Sequence, residues 1–144
     1  VLPWALGNQA FLTQCISNLL SNAVKFVAPG VVPCVRIWAE EAISTPASSQ
    51  PRNSDEPDIQ SLSLSRSPSP FVRLYFEDNG IGIASDKHAR IFRMFERIHP
   101  ATEYEGTGIG LTIAWRAAER MGGAIGFESE LGKGSKFWIQ LKKS

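Results

Sequence analysis

The sequence predicts an α+β fold, a two-layer α/β sandwich in which three main helices cover one face of a mixed, mostly antiparallel sheet of about five strands. Apolar and polar residues alternate over residues 71–78 and 135–141, as they do in half-buried strands. Residues 9–27 carry apolar side chains at spacings of three and four, which is typical of a helix with one buried face. Elements of both kinds bury their apolar faces by packing in layers.

Length and composition indicate one domain, residues 1–144, with a core of its own. The chain has 144 residues, of which 43% are hydrophobic. Its net charge of +1 argues against binding of nucleic acid through bulk electrostatics. Because the chain has neither an 18-residue apolar span nor a signal peptide, we expect a cytoplasmic domain without direct membrane contact. The abrupt start at Val1 suggests a domain of a longer protein, and a membrane anchor elsewhere in that parent is compatible with this expectation.

The two cysteines, Cys15 and Cys34, stand in apolar contexts and lack the spacing of metal ligands. We expect both to be buried, reduced thiols.

The first helix, residues 9–27, has a second face that is polar. Gln14, Asn18 and Asn22 follow one another at steps of four, and Lys25 lies one turn further on. Amides form helices less readily than Glu or Lys, so this stripe needs a reason. It is either a solvated helix face or a ligand site, since amide oxygens ligate Mg²⁺ and a lysine reaches a phosphate.

Residues 35–43 predict a strand that runs antiparallel to residues 71–78. The segment between them, residues 44–70, contains nine Ser and five Pro among 27 residues. Such a composition cannot bury enough surface to offset its ordering entropy, so we expect a disordered insertion between two strands of the sheet.

The strand of residues 71–78 ends in a carboxylate, Asp78, followed by a glycine-rich turn with Gly80 and Gly82. The alternation places Asp78 on the same face as the apolar residues of the strand. Burial of a carboxylate costs several kcal/mol unless it is hydrogen-bonded, so Asp78 is expected to serve a ligand, a hydrogen-bond network or the turn itself. The glycines allow close approach of a backbone or a ligand.

A short helix is expected after this turn, capped by Ser85 or Asp86 and ending near Glu96. Its apolar side would comprise Ile91, Phe92 and Phe95. Residues 98–105 show no regular spacing of apolar residues, so we expect a mobile loop there.

Residues 106–111, GTGIGL, enter a further helix that reaches Met121 and ends at two glycines. A glycine-rich entry to a helix favours anions, because free N–H groups and the helix dipole both attract negative charge. The Rossmann fingerprint would need glycine in place of Leu111, and GxxxxGK[ST] is absent from the sequence. Residues 124–130 and 135–141 then predict a hairpin joined by a glycine turn.

Five motifs together resemble the catalytic, ATP-binding domain of sensor histidine kinases, in the superfamily shared with gyrase, Hsp90 and MutL. NLLSNAVKF (18–26) resembles the N box, and IFRMFER (91–97) the F box. DNGIGI (78–83), GTGIGL (106–111) and LGKGSKF (131–137) resemble the first, second and third glycine boxes. Their order covers nearly the whole chain, and the fold it implies is the Bergerat fold.

The resemblance implies a role for each matching residue. Asp78 would accept a hydrogen bond from the adenine amino group, with Gly80, Gly82 and Ile83 against the base and Phe26 beside the nucleotide. Asn22 would coordinate Mg²⁺ that bridges the phosphates of ATP, with Asn18 nearby, and Lys25 and Arg97 would contact phosphates. The lid and the phosphate end of the site would be framed by Gly106, Thr107, Gly108, Ile109, Gly110 and Leu111.

The ATP-hydrolysing branch of the superfamily carries a glutamate where this chain has Asn18. An amide cannot act as a general base at neutral pH, so the resemblance favours the kinase branch and slow intrinsic hydrolysis. Neither His88 nor His99 resembles the family's phosphoacceptor, and we expect His88 to be exposed and His99 to lie in the lid.

The resemblance therefore implies a histidine kinase domain that donates the γ-phosphate of ATP to a histidine on a separate dimerisation and phosphotransfer domain, absent from this chain. A response regulator receiver domain and a homodimeric full-length protein are implied as further partners. Two alternatives share the pocket: a degenerate ATP-binding or protein-interaction module, and an anti-sigma-type serine kinase.

Overall fold

The computed structural model describes residues 5–42, 70–99, 104 and 106–144. The elements, in chain order, are α1 (Gln9–Lys25), β1 (Val35–Glu41), β2 (Phe71–Asp78), a 3₁₀ helix (Ser85–Arg90), α2 (Gly110–Arg120), β3 (Ala124–Glu130) and β4 (Gly134–Lys142). The strands form one sheet in the order β1-β2-β4-β3. The predicted α+β class is confirmed. Within the described residues the sheet has four strands rather than about five, and every pairing is antiparallel.

Helix α1 begins where the side chain of Asn8 caps it. The Oδ1 atom of Asn8 accepts hydrogen bonds from the N–H groups of Ala10 and Phe11, at 2.9 and 3.2 Å. The helix ends at Lys25, two residues earlier than predicted. Its buried side chains are those of the predicted apolar face: Cys15, Leu19 and Ala23.

The core lies between the helices and one face of the sheet. The alternating residues of β2 and β4 that point inward are buried there: Val72, Phe76, Phe137, Ile139 and Leu141. Helices α1 and α2 pack on each other as well as on the sheet. Cys15 is fully buried at this contact, and its Sγ atom donates to the carbonyl oxygen of Ala114 at 3.2 Å.

Strands β1 and β2 pair up to the borders of the segment that separates them in sequence. Glu41 stands opposite Val72. The N–H group of Ala42 donates to the carbonyl oxygen of Phe71 at 3.0 Å. The predicted insertion, residues 44–70, lies outside the described residues except for Pro70.

The predicted short helix after Asp78 is wrong in length and in capping. It is a 3₁₀ helix that ends at Arg90, and no side chain of its first turn caps it. Phe95 has a φ of 61°, which a right-handed helix does not accommodate, so helical geometry cannot continue through this residue. Its side chain is 74% exposed, whereas Ile91 is buried as expected.

The expected burial of Cys34 is also wrong. Cys34 lies in the segment that leads into β1, and its side chain is exposed. No described helix is long and apolar enough to cross a membrane.

Candidate active site

Two neighbouring cavities lie between the helices, the ends of β2 and β4, and the segments that precede α2. The larger, of about 190 Å³, contains Asn18, Asn22 and Lys25 from α1, together with Arg97 and Gly110. The smaller, of about 40 Å³, lies at the end of β2. It is lined by Asn22, Phe26, Asp78, Gly82, Ile83, Ile98, His99, Leu111, Ser135 and Phe137. Asn22 and Phe26 line both cavities, so the two form one continuous site.

The carboxylate of Asp78 is half-buried at the edge of the smaller cavity. Its Oδ1 atom accepts hydrogen bonds from the N–H groups of Gly80 at 2.8 Å and Ser135 at 3.2 Å. Burial raises the pKa of Asp78 above its ordinary value, although these two amides act in the opposite direction. Because both amides bind Oδ1, Oδ2 is the oxygen available to a ligand.

The glycine turn after Asp78 is held between α1 and the β3–β4 hairpin. The N–H group of Ile81 donates to the carbonyl oxygen of Phe26 at 2.8 Å, and the N–H group of Gly132 donates to that of Ile81 at 2.7 Å. A Cβ atom at Gly80 would overlap with the carbonyl oxygen of Phe26. Gly82 has a φ of 71°, and a Cβ atom there would overlap with the hairpin backbone. Both glycines are therefore required by close approach of the backbone, as predicted.

The polar stripe of α1 lines the larger cavity. Asn18, Asn22 and Lys25 are all part of its wall, whereas Gln14 is exposed. The Nδ2 atom of Asn18 donates to the carbonyl oxygen of Gln14 at 2.8 Å, which directs Oδ1 toward the start of α2. A Cβ atom at Gly110 would lie 2.9 Å from Oδ1 of Asn18 and 4.0 Å from Oδ1 of Asn22. The two amide oxygens thus converge on one place, which a side chain at position 110 would fill.

The start of α2 faces the same cavity. Its N-cap residue, Ile109, makes no side-chain capping bond, so the first N–H groups of the helix are not capped by a side chain. Gly106, Thr107, Gly108, Gly110 and Leu111 line the cavity, whereas Ile109 lines neither cavity. The arrangement suits an anion at the helix start and a cation held by amide oxygens.

No group of three or more His, Cys, Asp or Glu side chains capable of holding a metal ion is present among the described residues. Asn18 and Asn22 offer neutral oxygen ligands at the cavity. This set fits Mg²⁺, which keeps several waters and binds with substrate phosphates rather than in an all-protein cage.

Three aromatic rings close the site between the two cavities. The ring centroids of Phe26 and His99 are 4.9 Å apart, and those of Phe26 and Tyr104 are 5.4 Å apart. The hydroxyl of Tyr104 donates to the carbonyl oxygen of Val27 at 3.1 Å. The guanidinium of Arg97 donates to the carbonyl oxygen of Gly106. Two residues of the predicted lid, His99 and Tyr104, thus contact the end of α1. Arg97 and Gly106 join the two sides of that lid.

Sequence reasoning did not select Tyr104 or Ser135 for the site. Ser135 is brought to Asp78 by the register of β2 against β4, in which the two residues are direct partners. Its place in the third glycine motif was the available signal. His88, expected to be exposed, is half-buried. Its Nε2 atom lies 3.0 Å from the carbonyl oxygen of Ile83, and its ring packs edge-on against Phe127.

A family model covers almost all of the chain. Residues 7–144 match the histidine kinase-, DNA gyrase B-, and HSP90-like ATPase family. The chain belongs to this ATPase family. The predicted resemblance is confirmed.

Two relatives within the ATPase family are sensor proteins. The chain is 37% identical over 138 residues to the sensor histidine kinase AruS of Pseudomonas aeruginosa. The aligned residues make up 94% of this chain and 11% of AruS. It is 36% identical over 139 residues to the sensory/regulatory protein RpfC of Xanthomonas campestris pv. campestris, 94% of this chain and 16% of that protein. The chain therefore spans only a small part of the length of these relatives.

Solved structures show the same fold. Full-length ShkA in complex with AMPPNP is 31% identical to this ATPase-family chain, with a TM-score of 0.61 over 99% of this chain and 24% of that one. The catalytic domain of the histidine kinase ThkA, in a nucleotide-free form, has a TM-score of 0.63 at 20% identity, over 95% of this chain and 70% of that one. The second likeness supports the fold alone.

Proposed function

We propose that this chain is the ATP-binding catalytic domain of a sensor histidine kinase. It binds Mg-ATP and donates the γ-phosphate to a histidine on a separate dimerisation helix. The observation that supports this most is the placement of Asp78 at one end of a continuous site and of Lys25 and Arg97 at the other, with Asn22 lining both cavities. A group that recognises a base and a group that neutralises phosphates are thus separated within one pocket.

At the base end, Oδ2 of Asp78 accepts a hydrogen bond from the adenine amino group. The two backbone amides that bind Oδ1 hold the carboxylate in place. Gly80, Gly82 and Ile83 provide a backbone wall for the base, and Phe26 lies beside the nucleotide. These roles depend on the close packing of the glycine turn against α1 and the hairpin.

At the phosphate end, Asn22 and Asn18 would hold Mg²⁺ through their amide oxygens. Bound Mg²⁺ would neutralise part of the phosphate charge. Lys25 and Arg97 contact phosphates, and the glycine-rich residues 106–111 frame them at the start of α2. Phosphoryl transfer requires mainly positioning and charge neutralisation, which this set of residues supplies without an acceptor of its own.

The nucleotide requires a rearrangement of the aromatic cluster of Phe26, His99 and Tyr104. Neither cavity reaches about 300 Å³, the lower end of the range for ligand pockets. We infer that these rings move apart when ATP enters.

Transfer rather than hydrolysis is proposed because position 18 is an amide. Nδ2 of Asn18 is held by the carbonyl oxygen of Gln14, and the side chain has no group that accepts a proton from water at neutral pH. We expect Asn18→Glu to raise ATP hydrolysis, measured by phosphate release. Unchanged turnover with intact Mg-ATP binding would contradict the role given to this position.

The partners follow from the same proposal. The phosphoacceptor would be supplied by a dimerisation and phosphotransfer domain of the parent protein, and the phosphate would pass on to a response regulator receiver domain. The full-length protein would be a homodimer, with this domain, residues 1–144, in the cytoplasm and with the 44–70 segment as an insertion in it.

Calorimetric titration with a non-hydrolysable ATP analogue, with and without Mg²⁺, tests the proposal. We expect micromolar to sub-millimolar binding that tightens with Mg²⁺. Asn22→Ala should remove most of the gain from Mg²⁺, because it removes an amide oxygen from the cavity. Gln14→Ala is the matched control, since it removes an exposed amide from the same helix. Absence of binding in both conditions would favour an interaction module that has lost its nucleotide site.

A further inference from the structure

Strand β1 is an edge strand whose outer side carries backbone groups that point away from the sheet. The sheet order is β1-β2-β4-β3, and no other strand within the described residues pairs with that side. The carbonyl oxygen of Cys34 accepts from the N–H group of Asn79 at 3.3 Å, and the N–H group of Ala42 donates to Phe71 at 3.0 Å. Even-numbered residues of β1 therefore bond to β2, because hydrogen-bonded pairs alternate along an antiparallel ladder. The odd-numbered residues, 35 to 41, present their N–H and C=O groups outward.

The face of the sheet opposite the helices has three rows of side chains that cross the strands. The middle row is aromatic: Trp38 pairs with Tyr75, and Tyr75 with Trp138, whose indole covers Gly126. The rings of Trp38 and Tyr75 stack, with centroids 5.0 Å apart. The row thus reaches the free edge of the sheet with a tryptophan.

A charged row lies on each side of the aromatic one. In the first, Glu128, Lys136, Glu77 and Arg36 follow one another across the four strands. It contains ion pairs of 2.7 Å between Lys136 and Glu128 and of 3.1 Å between Arg36 and Glu77. This row ends in a cation at the free edge.

In the second charged row, Gln140, Arg73 and Glu40 follow one another. The side chain of Gln140 accepts a hydrogen bond from Arg73 at 2.8 Å. This row ends in an anion at the same edge, two residues along β1 from Trp38.

We propose that two copies of this chain associate through β1, edge to edge and antiparallel, around a two-fold axis at Trp38. In that register Arg36 of each copy faces Glu40 of the other, and Ile37 faces Ala39. Both members of the Ile37–Ala39 pair are odd-numbered, so their outward backbone groups can form the hydrogen bonds of a continuous ladder. A two-fold contact of this kind is isologous, as is the interface of the two-fold symmetric dimers that are most frequent among proteins.

Charge selects this register among those that the ladder allows. The first charged row of each copy continues into the second charged row of the other copy. The side-chain charges then alternate in sign along the combined row, in the order Glu128, Lys136, Glu77, Arg36, Glu40 and Arg73. Moving the register by two residues would place Arg36 opposite Trp38 or Ala42 and remove both ion pairs. The proposed register also covers Ile37, whose side chain is 49% exposed. Exposed strand edges readily form such pairs.

The association is expected to be weak, because a single strand pair buries less surface than stable dimers do. Sedimentation equilibrium of the full chain should show the average mass rising from 15.8 kDa toward twice that value as the concentration increases. Arg36→Glu and Glu40→Arg should each abolish this rise, because each places like charges opposite one another. An equimolar mixture of the two variants should restore it, since both cross-strand pairs become complementary.

Two further variants separate pairing from folding. Ile37→Pro removes an outward N–H group, and proline is tolerated at such a position of an edge strand, so the variant should fold and stay monomeric. Arg116→Glu makes the same charge change on the exposed surface of α2 and should associate as the wild type does. A mass of 15.8 kDa up to ~1 mM protein, the range of weak complexes, would overturn the proposal. So would failure of the mixed variants to associate. Binding of the ATP analogue should be equal in all of these variants, so this result is independent of the proposed function.

Discussion

Replacement of Asp78 by Asn tests the base end of the site with little change in shape. Asn keeps an oxygen that can accept from the N–H groups of Gly80 and Ser135, now at 2.8 and 3.2 Å. The second oxygen becomes an NH₂ group, which faces the amino group of adenine. Two donors then oppose each other, and we expect the nucleotide to lose a charge-assisted hydrogen bond.

The expected losses differ for binding and for folding. A hydrogen bond to a charged group contributes about 1.5–3 kcal/mol, so affinity should fall about 10- to 150-fold. Burial raises the pKa of Asp78, so the folded protein binds this proton more tightly than the unfolded chain does. The ionised carboxylate therefore opposes folding above its folded pKa. The variant should have an equal or higher Tm at pH 7, and this difference should vanish at pH values below the unfolded pKa.

Calorimetric titration of both proteins with an ATP analogue measures the loss of affinity. Thermal unfolding from pH 3 to 7, about the range of carboxyl titration, measures the difference in Tm. An inosine nucleotide carries an oxygen in place of the amino group, so its affinity relative to the adenine nucleotide should rise in the variant. Equal affinity of wild type and variant for the ATP analogue would refute the role of Asp78. A large loss of Tm would show that the carboxylate serves the fold instead.

Other substitutions test the structure around the site. Gly82→Ala should lower the free energy of unfolding by about 2–5 kcal/mol, because the left-handed backbone is strained for alanine and the new Cβ atom overlaps with the hairpin. Denaturant unfolding measures this loss, and a curve like that of wild type would contradict the turn geometry. Burial raises the pKa of Cys15 to about 11, so its thiol stays protonated at pH 8. One thiol per chain, Cys34, should therefore react rapidly with a disulfide reagent, and Cys15 only in denaturant; two rapid thiols would disprove the burial. Replacement of residues 44–70 by a short turn should leave nucleotide binding intact, because β1 and β2 pair up to its borders, and an unfolded product would show that the segment is structural.

Much of the site was predictable because the residues that form it lie on regular local patterns. The step of four residues along α1 places Asn18 and Asn22 on one face, and both line the larger cavity. The alternation along β2 places Asp78 with the apolar residues, and its carboxylate lies at the smaller cavity. In each case the backbone period alone decides which way a side chain points.

Other features depended on contacts between distant segments. The aromatic contact of Tyr104 with Phe26 joins two segments that no local period relates. The half-burial of His88 depends on Phe127, a residue of a strand that follows much later in the chain. Cys34 has an apolar sequence context, and its side chain is nevertheless exposed.

Four features follow from the sequence without any knowledge of the fold: the α+β class, the buried face of α1, the inward direction of Asp78 and the glycine-rich start of α2. These follow from periodicity and from the conformations open to glycine, which act over a few residues. Three other features are visible only in the folded chain. Ser135 donates to Asp78, and the two cavities share Asn22. Three rows of side chains end at one free edge with Arg36, Trp38 and Glu40. Sheet register and helix packing bring these residues together, and both depend on contacts between segments that are far apart in the chain.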